Sequence, residues 1–261
     1  MIADAAELRS ILDFAVGIAR KAGDITQRYF KGSFAVERKA DNSFVTAADR
    51  ETERFLRASI KEAFPDDAIL GEEEGVKAGN SNRRWILDPI DGTYSFVHRV
   101  PLYGVLIGLE IDDEAVLGVV NLPALGEQVY AARNLGCFWN DKPAQVSSTE
   151  SLSDALLLAT DFSDCEQHGF GRAAEMLQKQ VQARRTWGDV YGHILVATGR
   201  AEIMLDPIMN VWDCAPLLPI LEEAGGTFTD WRGQRTIHGG NAISTNGRLF
   251  ESVMSTIRKA E

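Results

Sequence analysis

The stretch Trp85-Ile-Leu-Asp-Pro-Ile-Asp-Gly-Thr-Tyr-Ser-Phe96 marks the change from strand to turn on which our prediction of the fold depends. Its first three residues are large and apolar, which predicts a buried strand that ends in Asp88. Pro89 has no amide proton and therefore interrupts the ladder of a sheet. The turn that follows can direct the carboxylates of Asp88 and Asp91 toward one point. The backbone amides of the next two residues, Gly92 and Thr93, can then donate hydrogen bonds to a phosphate oxygen. Asp-Pro and Asp-Gly turns are also common on surfaces, so this segment alone leaves both interpretations open.

Two further segments place acidic residues beside apolar stretches. Ile69-Leu-Gly-Glu-Glu-Glu74 puts three carboxylates after an apolar run, where a solvated acidic loop is the ordinary interpretation. Asp213 stands near the start of the apolar segment Val211-Trp-Asp-Cys-Ala-Pro-Leu-Leu-Pro-Ile-Leu221, where it suits a helix N-cap. Each segment is ambiguous by itself. In combination with Asp88 and Asp91, however, they favour a functional site over separate acids on the surface.

Hydrophobic spacing predicts two helices at the start of the chain and strands in its middle. Apolar residues three and four apart between Leu8 and Ile25 form one stripe of a first helix. Thr46 is a candidate N-cap for a second helix over 47–64, which Pro65 ends. Short branched and aromatic runs separated by turns then predict a meandering, mainly antiparallel sheet. These runs are 85–87, 103–111, 115–120 and 128–132.

After about residue 150 the pattern alternates between strand and helix, which indicates an α/β half. Strands are predicted over 155–160, 181–186 and 202–205, and helices over 171–179, 188–198 and 213–223. A boundary within 141–152 divides the 261-residue chain in two. We therefore predict an N-terminal α+β domain over 1–145, with most of the acidic cluster, and a C-terminal α/β domain over 146–261, with Asp213 and the substrate-selective residues.

The composition restricts the partners of the protein. Lys and Arg total 27 against 38 Asp and Glu, which gives a net charge of −11. Nucleic acids bind clustered Lys and Arg, so we expect no nucleic-acid partner. Three cysteines make no paired framework, and no apolar run reaches the roughly 20 residues that span a bilayer. Because the acidic N-terminus also lacks the parts of a signal peptide, we expect a cytoplasmic protein without a membrane partner.

Several ordered motifs resemble those of the inositol monophosphatase family. The motifs read Val45-Thr-Ala-Ala-Asp49, Gly71-Glu-Glu73, Asp88-Pro-Ile-Asp-Gly-Thr93, Gly136-Cys-Phe-Trp-Asn140, Trp212-Asp213 and Ala224-Gly-Gly226. The resemblance runs from the first helix to the C-terminal helix and so covers essentially the whole chain. The resemblance implies a five-layer α-β-α-β-α sandwich, of the type that inositol monophosphatase and fructose-bisphosphatase share. It also implies a homodimeric, Mg²⁺-dependent phosphomonoesterase that acts on a small phosphorylated substrate.

The same resemblance implies roles for individual residues. As ligands of two to three Mg²⁺ ions it implies Glu72, Asp88, Ile90 through its carbonyl, Asp91 and Asp213. It implies that Asp91, Gly92 and Thr93 bind the phosphate group. It implies that Asp49 and Thr93 are catalytic residues that orient a metal-activated water. Glu73 is implied to support the metal ligands without binding the ions itself.

The segment Arg185-Thr-Trp-Gly-Asp-Val-Tyr-Gly-His193 is where we expect the rest of the ester to be recognised. In the inositol phosphatases the glycine is typically followed by a small or hydroxylated residue, whereas here Gly188 is followed by Asp189. Asp189 suits a helix N-cap. Beside a phosphate pocket, its carboxylate suits a substrate with a cation at its other end. Histidinol phosphate is such a substrate, and this segment and 238–247 are similar to the bacterial histidinol-phosphatases of the family.

We expect four residues to contact the substrate: Asp189, Asp206, Trp187 and Arg185. Asp206 stands where these relatives usually have Glu, so its shorter side chain must reach the same atom directly or through water. His98 and His238 are expected to be structural rather than catalytic, because the four histidines have no metal-ligand spacing.

Three functions are compatible with these observations. The first is a histidinol-phosphate phosphatase of histidine biosynthesis, and Asp189 favours it. The second is an inositol-1-monophosphatase or a broad-specificity sugar phosphatase, which would use the same metal ions on a neutral polyol. The third is a regulatory interaction protein on the same fold. A bisphosphatase is less expected, because the sequence offers no added basic cluster for a second phosphate.

Overall fold

The computed structural model describes residues 4–32, 36–38 and 44–260 of the chain. Within these ranges the helices are α1 (Ala5–Lys31), α2 (Ala47–Ala63), α3 (Thr93–Val97), α4 (Phe162–Gln167), α5 (Gly171–Gln178), α6 (Asp189–Ala197), α7 (Val211–Glu223) and α8 (Phe250–Arg258), with a 3₁₀ turn at Leu152–Asp154. The strands are β1 (Val36–Arg38), β2 (Phe44–Thr46), β3 (Ala68–Gly71), β4 (Gly75–Lys77), β5 (Arg83–Asp91), β6 (Gly104–Ile111), β7 (Glu114–Leu122), β8 (Glu127–Ala132), β9 (Gly136–Trp139), β10 (Lys142–Pro143), β11 (Leu156–Ala159), β12 (Ala183–Arg185), β13 (Ile203–Asp206), β14 (Thr227–Thr229) and β15 (Ala242–Thr245).

The two long helices begin where the sequence offers caps. Asp4 Oδ1 accepts a hydrogen bond from the Glu7 amide at 2.8 Å at the start of α1. At the start of α2, the Thr46 hydroxyl accepts one from the Ala48 amide at 3.1 Å. Unpaired amides of the first helical turn gain partners in this way. Both predicted helices are confirmed, and α1 continues beyond the predicted stripe to Lys31.

The strands form two large sheets, besides the small antiparallel pair β1 and β2. The first has eight strands in the order β10-β9-β8-β7-β6-β5-β3-β4, and within it only β3 and β5 run parallel. The second has five strands in the order β12-β11-β13-β15-β14, with parallel pairs on either side of β11. The mainly antiparallel first sheet and the alternating second half therefore agree with the sequence-based prediction.

Three apolar cores join the sheets and helices into layers. Helices α1 and α2 cover the outer face of the eight-stranded sheet around Trp85. Helices α6 and α7 lie between the two sheets, in a core that contains Leu218. Helices α5 and α8 cover the outer face of the five-stranded sheet around Leu205. The chain thus has the expected five-layer α-β-α-β-α arrangement, and burial of these faces is its main source of stability.

Helix α7 lies unusually close to the eight-stranded sheet. Gly108 of β6 and Gly118 of β7 pair across the two strands. A Cβ atom at Gly118 would lie 1.9 Å from the carbonyl oxygen of Pro216, and one at Gly108 would lie 2.8 Å from the Cβ of Ala215. The glycine pair therefore makes room for the backbone of α7, which carries Asp213 one turn earlier.

Strand β5 and helix α7 differ from their predicted bounds, and helix α4 was missed. Strand β5 does not end at Asp88 but continues to Asp91, because the register shifts across Pro89 and pairing resumes between Asp91 and Gly104. Helix α7 begins at Val211, two residues earlier than predicted. Helix α4 was not predicted, since its six residues are too short for a clear apolar period.

The division into domains at residue 145 stays a prediction, although 144–155 contain no strand and connect the two sheets. All three cysteines are buried free thiols. Across the described ranges, none of the helices combines the length and the apolar character needed to cross a bilayer.

Candidate metal centre and substrate cavity

Three carboxylates from two elements meet between the sheets. Asp88 and Asp91 come from the end of β5, and Asp213 comes from the first turn of α7. One oxygen atom of each lies within 4.8 Å of the others. This is the separation expected of oxygen ligands around a shared cation.

The turn around Pro89 fixes the first two of these acids. Asp88 Oδ1 accepts a hydrogen bond from the Ile90 amide at 2.9 Å. The Thr93 hydroxyl donates one to the Ile90 carbonyl at 3.0 Å. Gly92 follows Asp91 with φ of 77°, a left-handed conformation that favours glycine, and a Cβ there would lie 2.8 Å from a backbone carbonyl oxygen.

Helix starts fix the other sides of the cluster. Asp213 Oδ2 accepts a hydrogen bond from the Asn210 amide at 2.6 Å, and the two residues form a capping box. Asp91 Oδ2 accepts one from the Val190 amide in the first turn of α6 at 2.7 Å. The N-cap interpretation of Asp213 is wrong, because Asn210 is the N-cap and Asp213 is the third helical residue.

The electrostatics of the cluster favour a bound cation. Burial, followed by the charges of Glu72, Asp91 and Asp213, raises the pKa of Asp88 well above its ordinary value. Burial and the nearby Asp189 raise the pKa of Asp91 in the same way. Burial also raises the pKa of Asp213 to about 7. Carboxylates gathered like this repel one another, and a divalent ion would relieve that repulsion.

Asp49 adds a buried oxygen that lacks a partner. Its Oδ2 accepts hydrogen bonds from the amide and hydroxyl of Thr46, at 2.7 and 2.6 Å. Its Oδ1 is buried and has no hydrogen-bond partner. Burial raises the pKa of Asp49 to about 6, and the charge of Glu72 acts in the same direction. An all-oxygen donor set with one orphaned oxygen fits a hard cation and its bound water, so the residues present suit Mg²⁺.

Glu53 is a supporting residue that our sequence reasoning missed. It is fully buried in α2, and its two oxygens accept hydrogen bonds from the amides of Glu73 and Glu74 at 2.7 and 3.0 Å. Arg57 lies 2.7 Å from it, one turn further along the helix. The Glu-x-x-x-Arg spacing was the available signal. Glu53 thereby fixes the loop that carries Glu72.

The cavity beside the carboxylate cluster of Asp88, Asp91 and Asp213 is strongly acidic. Its volume is about 210 Å³. Among the described residues that line it, none is Lys, Arg or His, and seven are acidic: Glu72, Asp88, Asp91, Asp164, Asp189, Asp206 and Asp213. Ile90, Gly92 and Thr93 also line it, as expected. Asp164 and Thr160 are lining residues that the sequence reasoning did not find. Asp164 lies in α4, which was not predicted, and Thr160 directly follows β11.

Asp189 is held in an uncommon backbone conformation. Its φ is 50°, in the left-handed region, although Gly188 and not Asp189 is the N-cap of α6. The N-cap interpretation is therefore wrong. The Asp189 amide donates a hydrogen bond to the Thr160 hydroxyl at 2.8 Å. A Cβ atom on Gly188 would lie 2.1 Å from the Cα of Thr160, so only glycine fits there. Strained residues of this kind cluster at functional sites.

The charge of Asp189 depends on its neighbours. Burial raises its pKa to about 7, the charge of Asp206 acts in the same direction, and a hydrogen bond to Ser95 opposes both. Its Oδ2 lies 3.2 Å from the position of a Cβ on Gly92, beside the expected phosphate loop. Asp189 and Asp206 therefore form a further acidic pair beside the carboxylate cluster.

Other predicted site residues do not line this cavity. Arg185 and Trp187 contact each other, with the guanidinium carbon 6.0 Å from the ring centre, and the Trp187 side chain is 43% exposed. Their substrate role has no support from the geometry. Glu73 also lies outside the cavity lining. His98 stacks on Tyr94 with ring centres 4.4 Å apart, in line with a structural role.

Comparisons with known proteins give matches over nearly the whole chain. The sequence profile of the inositol monophosphatase family matches residues 7–261. A histidinol-phosphatase from Chlorobaculum parvum is 43% identical over 252 residues, which cover 96% of this chain and 97% of that protein. A histidinol-phosphatase from Streptomyces coelicolor is 35% identical, covering 93% and 94%. The structure of the extragenic suppressor protein suhB from Bartonella henselae has a TM-score of 0.88 at 28% identity, covering 96% of this chain and 99% of that one.

Proposed function

Since the chain belongs to the inositol monophosphatase family, we propose that it is a Mg²⁺-dependent phosphomonoesterase that hydrolyses histidinol phosphate to histidinol and phosphate. The name of the relatives in Chlorobaculum parvum and Streptomyces coelicolor supports this choice within the family. We further propose that the protein acts as a cytoplasmic homodimer. The family resemblance supports the dimer, and the three unpaired, buried thiols suit a reducing compartment.

The observation that carries the proposal is the charge of the cavity. Seven acidic residues and no described basic residue line it, so a phosphate dianion binds there only when metal ions offset the negative field. Glu72, Asp88, Asp91, Asp213 and the Ile90 carbonyl would hold those ions. When bound, Mg²⁺ supplies charge neutralisation at the phosphate and acidifies a bound water.

The remaining steps belong to the side chains and amides of the chain. The unpartnered Oδ1 of Asp49 orients the attacking water and can accept its proton. The Thr93 hydroxyl donates its proton to the Ile90 carbonyl, so its oxygen is available to accept a hydrogen bond from the same water and to orient it. The backbone amides of Gly92 and Thr93 donate hydrogen bonds to a phosphate oxygen.

The cationic end of the ester explains the acidic pair of Asp189 and Asp206. Histidinol phosphate carries an ammonium group and an imidazole, whereas an inositol phosphate offers only neutral hydroxyls at this position. Asp189, with its pKa raised to about 7, regains a favourable charge when an ammonium group lies beside it and Asp206. A neutral polyol would leave both carboxylates without compensation.

A phosphate-release panel tests the proposal. We expect the protein with Mg²⁺ to hydrolyse histidinol phosphate with a kcat/KM at least about tenfold above that for inositol 1-phosphate, about 1.4 kcal/mol of discrimination. Fructose 1,6-bisphosphate should be poorer still, and EDTA should abolish all activity. Asp189→Asn, which tolerates the left-handed backbone, should raise KM for histidinol phosphate and leave the values for inositol 1-phosphate nearly unchanged.

Two results would contradict the proposal. A tenfold preference for inositol 1-phosphate would favour the polyol phosphatase instead. Absence of phosphate release from every ester in the presence of Mg²⁺ would favour an interaction protein on the same fold.

A further inference from the structure

A buried histidine lies behind the acidic wall of the cavity. His193 of α6 is fully buried, and its Nδ1 lies 2.7 Å from the hydroxyl oxygen of Ser244 in β15. Its other ring nitrogen, Nε2, is buried and has no hydrogen-bond partner. Asp206 Oδ2 lies 3.8 Å from this Nε2. Buried polar atoms of a ring are normally paired, so an unpaired one directed at a cavity carboxylate calls for a functional explanation.

The fold brings these three side chains to one place. β13 and β15 are antiparallel neighbours, and Met204 of β13 pairs with Ser244. Opposite residues share a face of the sheet, as do residues two apart, so Asp206 lies on that face as well. Helix α6 packs closely on it, since a Cβ on Gly192 would lie 2.5 Å from the sulfur of Met204. The next residue of the helix is His193.

We propose that His193 is a positioning residue that holds the carboxylate of Asp206 toward the cationic end of the substrate. The inference rests on the proposed function, because it requires a cation for Asp206 to bind. In the tautomer that this role requires, the Ser244 hydroxyl donates to Nδ1, and the Nε2–H of the ring faces Asp206. The 3.8 Å separation is longer than the usual ~2.7–3.2 Å of an N–H···O hydrogen bond. Such contacts are often long in a free enzyme and shorten in the complex.

The other contacts of Asp206 fix its backbone more firmly than its side chain. Its carbonyl accepts a hydrogen bond from the indole N–H of Trp231 at 3.1 Å. Its Oδ1 accepts only a long one from the Ile208 amide, at 3.5 Å. His193 therefore supplies the missing constraint on the carboxylate. An acceptor that is oriented before the ligand arrives binds it at a lower entropic cost.

Two substitutions of His193 separate positioning from packing. The amide nitrogen of Gln reaches the place of Nε2, whereas that of Asn reaches only the place of Nδ1. We expect His193→Asn to raise KM for histidinol phosphate about tenfold and to change kcat less than about twofold. Its kcat/KM for inositol 1-phosphate should equal that of the wild type. His193→Gln should keep the wild-type KM for histidinol phosphate, because it restores the donor.

The possible outcomes are distinct. Equal losses on both esters, or a wild-type KM in His193→Asn, would overturn the positioning role while the proposed function stands. Should His193→Asn fail to fold, Ser244→Ala decides the question: it removes the donor to Nδ1, and it should give the same rise in KM for histidinol phosphate alone. A wild-type enzyme without preference for histidinol phosphate would instead remove the proposed function, and this inference with it.

Discussion

At the scale of single residues, the chain uses the two oxygens of a site carboxylate for different purposes. Asp49 Oδ2 accepts both hydrogen bonds from Thr46 at the start of α2, while Oδ1 has no partner. Asp213 Oδ2 accepts the Asn210 amide at the start of α7, and the residue still contributes an oxygen to the cluster. In Asp49, one oxygen closes a capping box, and the other is available to the proposed metal centre.

This division predicts that two variants of Asp49 lose activity alike but differ in stability. Asp49→Asn keeps a carbonyl oxygen for the Thr46 amide and hydroxyl, whereas Asp49→Ala removes the acceptor. We expect kcat to fall about a hundredfold or more in both. Asp49→Ala should be less stable than Asp49→Asn by about 1 kcal/mol in urea unfolding of the metal-free proteins. Equal unfolding free energies would show that Oδ2 does not support the helix.

At the scale of elements, the position of α7 depends on two glycines in the sheet below it. Pro216 and Pro219 lie inside this helix and lack amide donors, so its ladder of hydrogen bonds is incomplete. The close contact with Gly108 and Gly118 and the apolar core around the helix compensate for this loss. Asp213 occupies the first turn of the same helix, so its place in the cluster depends on that contact.

A pair of glycine-to-alanine substitutions tests this dependence. Gly118→Ala would place its methyl group 1.9 Å from the Pro216 carbonyl oxygen, so we expect about 2 kcal/mol or more of destabilisation and weaker metal-dependent activity. Gly17→Ala is the matched control, because no atom lies within 4 Å of a Cβ there. It should stabilise α1 by up to about 1 kcal/mol. Thermal unfolding measures both changes, and an unaffected Gly118→Ala would show that α7 can shift freely.

Elements with a strong period were predictable from sequence, and those shaped by tertiary contacts were not. The 27-residue helix α1 and the strands β6 and β7 have clear apolar patterns. The course of β5 beyond Pro89 depends on pairing between Asp91 and Gly104, which only the neighbouring strand supplies. The left-handed φ of Asp189 likewise arises from its contact with Thr160, which is 29 residues away in sequence.

At the scale of the whole molecule, the acidic site lowers the stability of the metal-free protein at neutral pH. Asp49, Asp189 and Asp213 have pKa values of about 6, 7 and 7 in the folded protein, against about 3.9 for Asp in an unfolded chain. Folded molecules therefore bind more protons than unfolded ones between these values. The contribution of the three groups to stability is fully present below about pH 4 and is lost as the pH rises through about 6 to 7.

We therefore expect the metal-free protein to be less stable at about pH 8 than at about pH 5, by an amount on the order of 3 kcal/mol or more. Urea unfolding in EDTA across this range measures the decrease. Asp189→Asn removes one of the titrating groups, so its decrease should be smaller. Mg²⁺ should restore stability more at the higher pH, where it competes with fewer protons. A stability that rises from pH 5 to 8 in EDTA would contradict the raised pKa values.

The proposed metal ligands could be found from sequence because they lie in ordered, recognisable motifs. Their gathering in the structure is a separate observation: Asp88, Asp91 and Asp213 come within 4.8 Å of one another. The remaining wall of the cavity was less predictable. Asp164 enters it from a short helix without a clear pattern, and the sequence offers no local signal that His193 and Ser244, 51 residues apart, will meet.

Asp49 and Asp213 each close a capping box in addition to their proposed role at the metal centre. This affects how the sequences of homologues are interpreted. A homologue without catalytic activity would still be stabilised by acids at these two positions, because they close the capping boxes of α2 and α7. Genetic drift would therefore erase them slowly. Asp88 caps no helix, and without a bound cation its repulsion with the neighbouring acids is destabilising. In a survey of homologues, the loss of Asp88 is therefore the more informative sign that catalytic activity has been lost.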